Sequence, residues 1–440
     1  MTNKKFKLAA MSLATAVAVS AVGPSASAVT YYLGDGSVTV DQDNKGAFSY
    51  QGEDGNRTYV NEDKAETGDG TIYVKDGNAP TGEVPPSTDN SNNGTEETTP
   101  TDNDTQSTDA SGNNTENSST SETTTGNTIT VMEDVKKTDK ADGTEGNDVK
   151  IVVDGVNVDT STQTEALPDT GSTGDKTIIK VGEGAKVDLT VKDSNLTTGG
   201  NGIDIGVNLK GEDENKGANV DLTLDHTKVN LTQNGKAGIN VQDNSDVNLT
   251  LKGENAIDGS KAIENEDLKK NVNVEGIRVG GGGAGDGSGA SEGAKTHLTI
   301  SGGVEKTETA EADTEETESP AGGSLTISKT TGGLVMADGS DVEITDGADV
   351  TIEDTKTSSS TQAGRAVTQH GDLTLSGGSS LTIDGGKDNK APHTGIGIAS
   401  WDDITVEDGS TLDISGAATG IYGHQGSDAS LTVKDSTLNI

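Results

Sequence analysis

Short runs in which aliphatic residues alternate with Thr, Asp, Asn or Ser return at nearly fixed intervals along this chain, and that recurrence restricts its fold more than any other feature. The runs include Val187, Leu189, Val191; Val220, Leu222, Leu224; Val247, Leu249, Leu251; Val342, Ile344; Leu373, Leu375; Ile404, Val406; and Leu431, Val433. Period two means strands with one buried face. Val342, Leu373 and Ile404 are spaced by 31 residues, Leu431 follows after 27, and a second strand begins seven or eight residues on, at Val350, Leu381, Leu412 and Leu438. Gly333, Gly364 and Gly395 each stand nine residues ahead of the first strand, as Gly238 does ahead of Val247. Such self-similarity is the mark of stacked units, none of which can bury its own apolar face alone. No segment after residue 28 carries a 3.6-residue stripe, so helices should be scarce.

Composition agrees with a thin core. Only 28% of the 440 residues are hydrophobic, against a usual ~45–50%. Ordinary packed domains are ruled out at that level, whereas a coil needs only about five to seven inward aliphatics, each contributing about 1.5–3 kcal/mol on burial. Outward sites can then be Thr, Asp or Asn; Thr190, Thr223, Thr374 and Thr405 suit a pleated surface. The three short strands of each unit are joined by turns such as Asp346-Gly347, Gly377-Gly378 and Asp408-Gly409. The expected fold is therefore all-β: a right-handed parallel β-helix (solenoid) with a small N-terminal β segment and disordered acidic insertions. A β-sandwich has overlapping turn spacing, but it does not need an in-register period.

Along the chain, Lys4, Lys5 and Lys7 precede an apolar run from Leu8 to Val22 and the triplet Ala26, Ser27, Ala28. This pattern reads as a secretory signal peptide over 1–28. No later stretch is long and apolar enough to span a bilayer, and the expected location is extracellular or on a bacterial cell surface. Residues 29–80 hold five of the six tyrosines and β-type patches around Ser37 to Val40, Ala47 to Tyr50 and Thr71 to Val74, an N-terminal β segment or cap. Thr81 to Thr128 carries nine acids and no base, a linker too polar to order itself. Repeats fill 129–440, with a second acidic insertion from Glu305 to Pro320. The last strand runs up to Ile440 with no polar element to cap it, which implies a fragment.

With the repeats laid out, Val187-Asp-Leu-Thr-Val, Gly238-Ile-Asn-Val before Val247-Asn-Leu-Thr-Leu, and Gly276-Ile-Arg-Val before Leu298-Thr-Ile resemble the Gly- and Thr-rich β-helical surface proteins of Gram-positive gut bacteria. The later half is similar to pectin-lyase-like and adhesin-like repeats. The resemblance implies the fold and a surface location, with adhesive or carbohydrate-binding roles; its motifs are structural. Leu167-Pro168-Asp169-Thr170-Gly171 matches a sortase pattern, but repeats follow it where an apolar segment and basic tail are needed, so it is read as a chance match.

Several chemistries are disfavoured. Net charge is −41, from 73 acids and 32 bases, which opposes nucleic-acid and anionic-lipid partners. Without Cys there are no disulfides or thiolate sites. Arg57, Arg278 and Arg365 are the only arginines and fall at different repeat positions, a poor basis for a lyase acting on acidic polysaccharide. The glycosidase reading is unspecific too: among 73 acids many pairs would fit, and Asp188, Asp221, Asp372 and Asp403 read as solvated groups. Asp41 to Gly52 fails the calcium-loop pattern at Lys45 and Gly52, and the Gly280 to Gly289 run lacks the spaced Asp of calcium nonapeptides. No cofactor is expected beyond weak Ca2+ binding by acidic turns.

One local set points to a ligand. His370 lies six residues after Gly364 and Trp401 six after Gly395, so stacked coils would make them neighbours, with His393, Tyr422 and His424 close by. An aromatic edge of this kind can stack on the apolar face of a sugar; it can equally be a ladder of turn side chains shielding backbone. The expected function is a non-catalytic adhesive or structural module facing extracellular glycans or a host surface, with carbohydrate binding through these residues as the alternative and a lyase or glycosidase behind both.

Overall fold

A computed structural model describes residues 17–18, 29–33, 38–42, 48–51, 57–60, 71–77, 124–125, 127–133, 135, 149–162, 176–209, 216–264, 273–281, 294–303, 322–355, 364–386 and 394–440. Most of the signal-peptide and linker spans, both acidic insertions' charged stretches, Leu167 to Gly171, Gly282 to Gly289 and His393 lie outside these residues.

The chain is a parallel β-helix. From Ile129 onward its strands step by three through three sheets, each strand pairing with the strand at the same place in the neighbouring coil; with the N-terminal strands included, the sheets count 12, 10 and 12 strands among the described residues. We call them sheet I, which includes Lys186–Lys192 and Asp246–Lys252, sheet II, which includes Asn195–Thr198 and Asp349–Glu353, and sheet III, which includes Val274–Val279 and Gly364–Gln369. The repeat read from the sequence is the register of sheet I: Val342 pairs with Leu373, and Leu373 with Ile404, then Ile404 with Leu431. The second strands pair likewise in sheet II, from Val350 through Leu381 and Leu412 to Leu438. Among the described residues one short helix, Ser260–Glu264, interrupts the β structure.

The aliphatics of all three sheets form one buried cluster running the length of the coil. Sheets I and II alternate buried with more exposed positions, as Asn219–Asp225 does. In the expected turns the backbone is left-handed at two successive residues, with φ of 51° and 70° at Asp346 and Gly347, 60° and 73° at Gly377 and Gly378, and 55° and 79° at Asp408 and Gly409. Only Gly, and to a lesser degree Asp or Asn, occupies that region cheaply.

The glycine frame in sheet III differs from the sequence reading. Gly332 pairs with Arg365 and Leu334 with Val367, which sets Gly333 opposite Ala366 and not opposite Gly364; a register shift follows Gly364. The structural column is Gly238, Gly276, Gly333, Ala366, Gly397 and Gly420, and its glycines face isoleucines of sheet II: a Cβ on Gly238 would lie 2.5 Å from Ile257 Cγ2. Sheet II's bulky side chains thus use the volume that sheet III leaves free.

At the N-terminal end, Val29–Tyr32 and Ile72–Lys75 pair in parallel within sheet I, and Val38–Gln42 joins sheet III. Two antiparallel strands, Phe48–Gln51 and Arg57–Val60, extend that edge, and Val17–Ala18 pairs antiparallel with Tyr31 and Thr30.

Candidate functional site

The corner between sheets III and I in the C-terminal coils gathers the aromatic residues. Gln369 pairs with Ser400, and Ser400 with Gly423. The next residue in each coil is His370, Trp401 and His424. Backbone bonding continues through them: His370 N donates to Met336 O (3.2 Å), Trp401 N to Gln369 O (3.0 Å) and His424 N to Ser400 O (2.8 Å). Coil rise is about the interstrand spacing of ~4.8 Å, so side chains at one position meet ring over ring. His370 and Trp401 have centroids 4.1 Å apart and planes 13° from parallel; Trp401 and His424 follow at 4.9 Å and 20°.

The ladder is braced on both sides. Asp338 Oδ1 lies 3.2 Å from His370 Nδ1, an ion pair when the imidazole is protonated. Arg365 Cζ stands 5.6 Å from the centre of the Trp401 ring, within cation–π range. From inside the coil, Gln369 Nε2 donates to Asp403 O (2.6 Å), and Ser400 Oγ to Asp402 O (2.7 Å). These bonds fix the turn that follows the rings.

Tyr422 is not in the stack. It pairs in register with Ala399, two residues before His424, and is 44% exposed. The structure thus brings together His370, Trp401 and His424, leaves Tyr422 separate on the same strand edge, and His393 falls outside the described residues. Both faces of the Trp401 indole are covered by imidazoles.

Beyond the rings the same corner is acidic. Asp341, Asp372 and Asp403 immediately precede the paired residues Val342, Leu373 and Ile404. Two of these carboxylates reach the next coil: Asp372 N donates to Asp341 Oδ1 (3.3 Å) and Ser430 N to Asp403 Oδ1 (2.8 Å). Asp372, Asp402 and Asp403 have carboxylate oxygens within 4.8 Å of one another and are exposed, close enough to face one cation. Partial burial, then the charges of Asp402 and Asp341, raise the Asp372 carboxyl above its ordinary value. The sequence signal for this column is an Asp directly before Val342, Leu373 and Ile404, but Asp338 and Arg365 have no repeat signal.

No helix among the described residues is long and apolar enough to cross a membrane. No protein-family model matches the chain, and neither a curated protein nor a solved structure does.

Proposed function

We propose that this chain is an exported, surface-displayed rod that acts as a non-catalytic adhesive or structural module, of the kind its repeats resemble in Gram-positive gut bacteria. The observation behind this reading is the in-register stacking of every described coil on the next. The coil interior is fixed by aliphatics, so turns and outward positions vary freely and are presented as a linear array, a layout suited to many weak contacts with extracellular glycans or a host surface. The acidic surface keeps such a rod soluble and turns away anionic polymers. Immobilised full-length chain should retain mucin or host cells without altering any glycan offered. A measured turnover on a plant or host polysaccharide would overturn the reading.

The second reading is carbohydrate binding at the aromatic corner. Its support is the close association of His370, Trp401 and His424 beside an exposed Tyr422. On a glycan array, Trp401→Ala and Tyr422→Ala should each remove signals that the parent chain gives. An unchanged profile in both discards the corner as a site.

A further inference from the structure

Sheet III, buried on both faces over Val274–Val279 and Gly332–Met336, begins two of its strands on the same dipeptide. Asn201-Gly202 stands directly before Ile203–Val207, and Asn234-Gly235 directly before Lys236–Val241. The backbone requires glycine at both places: a Cβ on Gly202 would lie 2.5 Å from Gly238 O, and Gly235 has a left-handed φ of 74°. Yet Asn followed by Gly is the sequence in which an asparagine side chain reacts most readily with its own backbone, since no Cβ shields the next nitrogen.

That reaction has defined steps. The Gly nitrogen loses its proton and attacks Asn Cγ, the side-chain nitrogen leaves as ammonia, and a cyclic succinimide remains. Water then opens the ring at either carbonyl carbon, giving aspartate or isoaspartate, whose main chain is longer by one carbon. The attack needs a Gly N–H free of its acceptor and an Asn side chain turned forward over the next peptide.

In both places the next coil occupies these groups. Asn201 Oδ1 accepts from Ala237 N (2.9 Å) while Gly202 N donates to Ala237 O (3.0 Å). Asn234 Oδ1 accepts from Asn273 N, and Gly235 N donates to Asn273 O (2.6 Å). Each Asn-Gly pair thus brackets both backbone polar groups of one residue on the next coil. In an ordinary parallel ladder that residue's N–H would go to a main-chain carbonyl; here the side-chain amide takes its place. Asn201 Nδ2 is also held, by Asp204 Oδ2 (2.8 Å), and the residue is buried. Asn234 is only half-buried, so there the bracket, and not exclusion of water, has to hold the reaction off.

We propose that Asn201 and Asn234 are latent deamidation sites, whose conversion to aspartate or isoaspartate waits on separation of neighbouring coils. Opening a bracket frees the Gly nitrogen and the Asn amide together, so the rate follows the local opening equilibrium. The products differ in consequence. A carboxylate at position 201 would face Asp204, which accepts from Asn201 Nδ2, and two buried carboxylates oppose re-closure. Aspartate at position 234 keeps an oxygen for Asn273 N, whereas isoaspartate lengthens the chain before Gly235 and moves its nitrogen off Asn273 O.

The test is incubation of the full chain at mildly alkaline pH, folded and in urea, followed by peptide mapping that separates aspartate from isoaspartate. Both asparagines should convert at least about tenfold more slowly in the folded chain. Asn273→Pro removes the N–H that Asn234 Oδ1 accepts, and should speed conversion at Asn234 severalfold with Asn201 unchanged. A second measurement does not depend on that variant's folding: in the parent chain, urea below the unfolding transition should raise hydrogen exchange at Gly235 N and conversion at Asn234 in parallel. The proposal is overturned if either asparagine is protected less than about tenfold by folding, or if a folded Asn273→Pro chain leaves Asn234 as slow as in the parent. It is overturned equally if that variant speeds Asn201 as much as Asn234, or if urea raises Gly235 exchange with no change in conversion.

Discussion

His370 and Trp401, 31 residues apart in sequence, lie ring on ring with centroids 4.1 Å apart because each follows the last paired residue of its sheet III strand. His424 covers the other indole face. Trp401 is the chain's single tryptophan, so its fluorescence reports on this corner alone. His424→Ala should uncover one indole face and shift emission to the red with the fold intact. Trp401→Ala removes two stacked contacts and should lower stability by about 1–3 kcal/mol, measured by urea unfolding. Unshifted emission in His424→Ala would mean the rings are not stacked in solution.

The glycine column of sheet III makes a sharper prediction. A Cβ at Gly238 would lie 2.5 Å from Ile257 Cγ2 and 2.9 Å from Gly276 O. Backbone and a core side chain would both have to yield. Gly238→Ala should therefore destabilise by about 1–3 kcal/mol, the usual cost of overpacking. Ile257→Ala removes both Cγ2 and Cδ1, so the double variant Gly238→Ala with Ile257→Ala should be less destabilised than the two single losses added together. Equal stability of the parent and Gly238→Ala in thermal unfolding would remove the proposed close approach.

Those glycines also mark where the sequence was readable and where it was not. Sheets I and II announce themselves because each buries one face, so aliphatic residues alternate and the coil period survives in Val342, Leu373 and Ile404. Sheet III buries both faces, and its strands mix Gly, polar and aliphatic residues with a register shift after Gly364. Period two is lost there, and counting glycines back from sheet I set Gly364 opposite Gly333 where Ala366 belongs. The His370 and Trp401 pair was legible because both stand three residues before a sheet I strand. His424 stands seven before Leu431, and only the strand pairing shows that it continues the stack. Asp338 and Arg365 meet the rings through side-chain reach, and spacing along the chain carries no trace of that.

Inside the coil, Asn255 ties three turns together. It is 3% exposed; its amide nitrogen donates to Lys252 O (2.9 Å), Ser324 O (3.2 Å) and Leu224 O (3.4 Å), and its oxygen accepts from Thr227 N (2.9 Å). Asn255→Leu would strand these backbone groups in a dry interior. A loss of about 2–4 kcal/mol is expected, read as a lower urea midpoint with an unchanged slope. Asn255→Asp should be no milder above pH 5, since the carboxylate would face the same carbonyls. Retained stability in the Leu variant would mean that the carbonyls find other donors.

The carboxylates at the aromatic corner set a pH dependence whose sign follows from Asp372. Its folded carboxyl is raised above the ordinary value by partial burial and by Asp402 and Asp341, so the folded chain holds this proton more tightly than the unfolded chain. Stability from this group therefore falls as pH rises from the unfolded value, about 3.9, through the raised folded one, and stays lower above it. Asp372→Asn removes the ionisation and keeps the side-chain shape. The variant should melt at a higher temperature than the parent at pH 7, and the difference should shrink as pH falls below about 4, where the parent's carboxyl is protonated in both states. Added salt at pH 7 should narrow the gap by screening the repulsion among these exposed groups. A variant that melts below its parent at neutral pH would show that the ionised carboxylate is held by favourable contacts stronger than the repulsion from its neighbours.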